Sequence, residues 1–154
     1  MKPIKTEFLT FKLCVRCNFT GNFFLSMNKK LKDWHKFVET GDVAMLNGIL
    51  ADEVKFHSPF VWKPKEGKQM TTAILSTVME VFEDFRYVRE IADDKNCMLE
   101  FEAKVGELDL RGVDIIEFDD DGKFVDFEVM IRPANALQAV GEAMTRKLKE
   151  KGFI

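Results

Sequence analysis

The chain is predicted to fold as a single α+β domain. Three features predict it: amphipathic helical stretches come first, strand-like stretches then follow one another from Arg86 to Ile131, and the turns between them are too short for crossover helices. Helices followed by a run of strands give a mainly antiparallel sheet, whereas a parallel sheet needs strands and helices to alternate. The 154 residues suit one domain with one core.

Each element has its own signal. Residues 28–40 read as a helix, because Leu31, Trp34, Phe37 and Val38 recur at helical spacing among lysines and acids. Gly41 stops it. Asp42 can cap a short second helix, since its carboxylate accepts the first unpaired N–H groups. Val43, Leu46, Ile49 and Leu50 form the apolar face of that helix. Val54–His57 is a short strand ended by Pro59. Residues 60–68, with Pro64 and Gly67, form a loop. The spacing of Met70, Ile74, Val78 and Phe82 predicts a helix over about 69–84.

Arg86–Ile91 is the first of four strands, closed by Asp93-Asp94. Asn96–Val105 and Leu108–Phe118 form a hairpin about Gly106-Glu107. Asp119–Gly122 is a turn, and Lys123–Ile131 is the last strand. A final helix runs from about Ala134 to Lys149, with Leu137, Val140, Met144 and Leu148 on one face.

Composition excludes some functions. The net charge is −3 and no basic stripe stands out, which argues against nucleic acid as a partner. No segment is long and apolar enough to span a membrane. Phenylalanine is abundant at 15 residues and tyrosine is nearly absent at 1, so a dry core or a dry cavity is expected. Cys14-Val15-Arg16-Cys17 has the spacing of half a zinc site, but no second pair follows, and a structural zinc takes four ligands. Cys14, Cys17 and Cys97 are therefore read as reduced thiols of a cytoplasmic protein, with no metal and no organic cofactor.

Residues 1–26 are read as a peripheral extension, and residues 27–154 as the domain. Lys2, Lys5, Lys12 and Arg16 against a lone Glu7 allow an organelle-targeting reading, without the apolar stretch of a secretory signal. Met27-Asn28-Lys29-Lys30 also reads as a natural chain start just before the first helix.

A set of markers in this order resembles the nuclear transport factor 2-like superfamily, in its SnoaL-like branch. They are the Trp34 helix ending at Gly41-Asp42, Leu50-Ala51-Asp52-Glu53-Val54, His57-Ser58-Pro59, Gly112-Val113-Asp114, Asp121-Gly122-Lys123 and Val129–Pro133. The resemblance implies a cone-shaped barrel, in which a curved, mainly antiparallel sheet wraps the N-terminal helices around a pocket. It also implies a homodimer formed through the outer sheet face, with Glu128 and Arg132 as an ion pair there. The superfamily holds isomerases, hydrolases, dehydratases, cyclases and non-catalytic binders, so fold alone does not select among them.

Against ketosteroid isomerase in particular, one of three catalytic positions is kept. The carboxylate base before the proline is replaced by Ser58, and the helix tyrosine by Trp34. The oxyanion-donating aspartic acid, nine residues before a turn lysine, is matched by Asp114. Asp114 stands between Val113 and Ile115-Ile116, where burial would favour the neutral, donating form. It reads either as a pocket acid of that kind, which the handful of known neutral aspartic acids includes in ketosteroid isomerase itself, or as an outer-face aspartate paired with a neighbouring strand. Ser58 and His57 are further candidates, but alternation puts them on opposite faces of the strand. His57 reads as an acid/base or as an interface residue. Trp34 is core, cavity wall or both, and Trp62 covers a pocket mouth or anchors its loop. The resemblance makes Phe56, Phe101, Phe118, Phe127 and Val129 the pocket wall.

Two functions follow. One is a protein that binds a small apolar ligand in its cavity and catalyses proton transfer of isomerase, dehydratase or cyclase type. The other is a non-catalytic dimeric binding module. Whether the chain is an enzyme stays open at this level.

Overall fold

The computed structural model describes residues 21–154. Cys14, Cys17 and most of the 1–26 extension lie outside the described residues. Helices α1 (Gly21–Thr40) and α2 (Val43–Ile49) lead into strand β1 (Leu50–His57) and the two-residue β2 (Lys65–Glu66). Helix α3 (Lys68–Val78) precedes β3 (Glu83–Ala92), β4 (Asn96–Val105), β5 (Leu108–Phe118) and β6 (Phe124–Arg132). Helix α4 (Ala134–Glu150) follows.

The strands form one sheet in the order β2-β1-β6-β5-β4-β3. All neighbours are antiparallel except β1 and β6, which run parallel with Phe56 opposite Phe127. Register shifts in the β1–β6, β3–β4 and β5–β6 pairs are the local irregularities that bend a sheet. The result is curved and unclosed. The cone-shaped α+β fold is thus the one predicted, without closure into a full barrel.

The concave face carries the core in two clusters. In the first, Trp34 and Phe37 of α1 and Leu46 and Ile49 of α2 pack on Phe124 and Phe127 of β6. In the second, Ala136, Val140 and Met144 of α4 pack on Phe101 and Leu110. A fully buried phenylalanine contributes about 1.5–3 kcal/mol over an exposed one, so this aromatic interior dominates the stability.

Several boundaries differ from the sequence prediction, each for a local reason. Helix α1 starts at Gly21, not at residue 28, because nothing in between breaks a helix. Asp42 caps α2 as expected, accepting from the Ala44 N–H at 2.9 Å. Strand β1 starts at Leu50, where the α2 cap passes directly into pairing with Phe124. Helix α3 stops at Val78, well short of residue 84, and tight turns carry the chain through Phe82. Phe82 fits a helical period yet stacks on Phe85 of β3 at 5.9 Å. Asp84, in the left-handed region at φ 52°, marks the entry to β3.

Candidate functional site

A cavity of about 400 Å³ lies where the two core clusters meet. Strand alternation decides which side chains reach it. Phe56, Phe127, Val129, Phe101 and Asp114 share the concave face and line it, with Trp34 above them. Met144 and Val140 close it from α4. Among the described residues, the acidic and basic side chains that line it are Asp114 and Lys65.

Asp114 is only 6% exposed. It sits in β5 opposite Leu99 on one side and Val129 on the other, so the strand register aims it inward. Burial pushes its carboxyl up to about 7, and a hydrogen bond from Tyr87 draws it part of the way back. The Tyr87 hydroxyl donates to Asp114 Oδ2 at 2.8 Å and accepts from Trp34 Nε1–H at 2.8 Å. An indole N–H can only donate, so the direction of the chain is fixed: Trp34 to Tyr87 to Asp114. Tyr87 is Asp114's hydrogen-bond partner among the described residues, which leaves the second carboxyl oxygen toward the cavity.

Tyr87 itself is held from both sides. The rings of Phe85 (5.0 Å) and His35 (5.3 Å) meet it edge-on. Burial, and next the neighbouring Asp114 carboxyl, raise its phenol well above the usual range, so it stays a neutral donor. Alternation along β3 turns Phe85 and Tyr87 inward and leaves Arg86 and Val88 outside, with the register shifting just beyond, between Tyr87 and Arg89. Sequence reasoning did not find Tyr87. The available signal was its singularity, one tyrosine in a chain of 15 phenylalanines.

The other predicted site residues separate. Ser58 lines the cavity, but its Oγ accepts the Phe60 N–H at 3.2 Å and no base is bonded to it among the described residues. His57 is not in the cavity. It points to the opposite sheet face and hydrogen-bonds Asp126 Oδ2 at 2.9 Å, as alternation requires. Trp62 is 99% exposed and does not line the cavity, because its loop turns it outward. Phe118 is buried but also off the cavity. It lies edge-on to Phe124 at 5.2 Å, past the β5 register shift, in the solid part of the first cluster.

Cys97 is a buried free thiol, pushed up to about 12 mainly by burial, and so is not a nucleophile. Among the described residues no group of three or more His, Cys, Asp or Glu side chains is placed to hold a metal ion, and no helix is long and apolar enough to cross a membrane. The site can therefore offer one hydrogen-bond donor to a ligand, the protonated carboxyl of Asp114, inside an apolar wall, because the Trp34 and Tyr87 protons are spent within the chain.

Comparison with known proteins finds the same fold. A steroid delta-isomerase from Pseudomonas aeruginosa is 44% identical over 82% of this chain and 93% of its own, with a TM-score of 0.79. An uncharacterised protein with a cystatin-like fold from Silicibacter pomeroyi DSS-3 is 35% identical over 82% of this chain and 90% of its own, with a TM-score of 0.77. The epoxide hydrolase/cyclase-like enzyme SalBIII, 13% identical over 73% of this chain and 95% of its own, shares the fold at a TM-score of 0.60. No curated protein matches. The family model described as a SnoaL-like domain matches residues 31–127. The chain belongs to the SnoaL-like domain family, within the nuclear transport factor 2-like superfamily.

Proposed function

We propose that the protein binds a small apolar molecule in this cavity and polarises one of its oxygens, carbonyl or hydroxyl, through Asp114. The observation that carries this reading is the chain from Trp34 through Tyr87 to a buried Asp114 at the cavity wall. A neutral carboxylic acid donates to an oxygen that gains negative charge more strongly than to a neutral one. That is the help an enolisation, dehydration or ring closure needs. The 44% identity to a steroid delta-isomerase supports a proton-transfer reaction of this type.

The proton acceptor is not the one that enzyme class uses. Ser58 stands where the resemblance expects a carboxylate, and Asp114 is the sole acid that lines the cavity among the described residues. The reading is therefore binding with polarisation, with the reaction limited to substrates that need no second carboxylate. No metal or organic cofactor takes part in it, and the free thiol of Cys97 suits a cytoplasmic setting.

Fluorescence titration with 2-naphthol tests it. Asp114→Ala is expected to weaken binding about tenfold, the upper scale of a neutral hydrogen bond. Equal binding by wild type and variant overturns the reading.

A second reading rests on the outer sheet face. Ile91, Met98 and Met130 are exposed there, beside the ion pairs Arg86–Glu102 (2.6 Å), Arg89–Glu100 (3.3 Å) and Arg111–Glu100 (3.3 Å). Glu128 and Arg132 have no ion-pair partner among the described residues, which leaves them for a second copy. A homodimer through this face is compatible with either function. Sedimentation should show a dimer, and a monomer at micromolar concentration contradicts it.

A further inference from the structure

The mouth of the cavity carries a positive charge that the polarising site does not use. Strand β2 pairs with β1 so that Lys65 lies opposite Phe56 and Glu66 opposite Lys55. Directly opposed residues share a sheet face. Phe56 lines the cavity, so Lys65 is on the cavity face, while Glu66 is turned away with Lys55. Lys65 makes no ion pair among the described residues, whereas its neighbour Lys68 is bound to Asp52 at 2.6 Å. The rim beyond adds to the same sign. Arg146 and Lys149 of α4 flank an adjoining hollow with Phe60 and outnumber its acid, Glu142, which keeps its charge while accepting from the Gln138 amide at 3.0 Å.

The register also fixes the distance from this charge to Asp114. Lys65, Phe56, Phe127 and Ile116 form one row across β2, β1, β6 and β5. Asp114 is two residues along β5 from that row. Three strand spacings and two residues of rise separate the backbones by roughly 16 Å in a flat sheet, less in a curved one. The side chains close part of that span from both ends, leaving room for about two or three fused rings in a cavity of about 400 Å³.

We propose that the ligand of this cavity is an amphiphilic acid: an apolar body with its oxygen acceptor at Asp114 and a carboxylate or sulfonate at the mouth, held by Lys65. This rests on the cavity-binding reading above and adds the class of molecule. The apolar wall between the two ends supplies affinity, and the separated polar groups at each end fix which way round the molecule enters. An unpaired lysine at a water-filled mouth can bind an anion without the full cost of desolvating it.

A matched pair of fluorescent probes tests this. Anilinonaphthalene sulfonate and N-phenylnaphthylamine share an aromatic body, and only the first carries an anion. Both are titrated against wild type and Lys65→Met, a change that keeps the apolar stem of an exposed edge residue. Thermal melting confirms that the variant is folded. Lys65→Met is expected to weaken the sulfonate about tenfold and to leave the neutral probe within about twofold, as loss of one charge-assisted contact should. On wild type the two probes should compete. A sulfonate unaffected by Lys65→Met, or equal weakening of both probes, overturns the acid assignment and leaves cavity binding standing. Failure of both probes to bind wild type overturns the two together.

Discussion

Among single residues, Tyr87 ties the site together. Its hydroxyl satisfies two buried polar groups at once, the indole N–H of Trp34 and the carboxyl of Asp114. Tyr87→Phe keeps the ring and its edge-on contacts but leaves both partners unpaired. Denaturant unfolding should show a loss of about 1–3 kcal/mol, the usual cost of orphaning buried polar groups. Because the Tyr87 bond draws the Asp114 carboxyl downward, the same variant should also raise that group above about 7. The sequence marked Asp114 as a candidate but left both faces of the sheet open to it; burial and the register opposite Leu99 and Val129 put it on the concave face. It did not mark Tyr87. Phe85 and Tyr87 alternate inward along β3, but that pattern does not reveal that the Tyr87 hydroxyl meets a carboxyl 27 residues away.

At the scale of elements, close approach shapes the cavity wall. Gly112 of β5 faces Phe101 of β4, and a Cβ there would overlap the Phe101 ring and come within 2.7 Å of the Met130 carbonyl oxygen. The missing side chain lets Phe101 lie flat along the wall. Gly112→Ala should therefore destabilise the fold by about 1–3 kcal/mol, as overpacking does, and shrink the cavity by pushing the ring into it. Thermal melting together with 2-naphthol titration checks both effects. The element errors share a cause. Phe82 continues the helical period of α3 by coincidence, and the polar Asp52-Glu53 hides the start of β1. Strand β2 spans two residues, which is too short for any pattern to show. Caps and turns were read correctly because Asp42, Gly41 and Gly106 act locally.

At the scale of the whole molecule, the site makes stability depend on pH. The Asp114 carboxyl has the ordinary value of 3.8 outside the fold and about 7 inside it, so folding retains a proton that the unfolded chain releases. Its contribution is complete below about 4, declines as pH rises, and is lost above about 7. Asp114→Asn cannot ionise. Relative to wild type, this variant should gain on the order of 4 kcal/mol between those limits, seen as diverging urea midpoints. The same proton links stability to function, since the form that stabilises the fold is the form that donates to a ligand. The overall architecture was legible from element order, and alternation put His57 on the face away from Ser58, yet the placements of Trp62 and Phe118 were not legible. They depend on loop direction and on the register shift at the end of β5, which a linear pattern does not encode.

Asp114 keeps its proton far above the ordinary carboxylate range, so a large share of molecules carries the donating form near neutral pH. Carbon-13 NMR of carboxyl-labelled aspartate, titrated against pH and assigned by loss of one signal in Asp114→Asn, measures it directly. The account predicts a midpoint near 7 for that signal. A midpoint at about 4 or below, the ordinary carboxylate range, would contradict it.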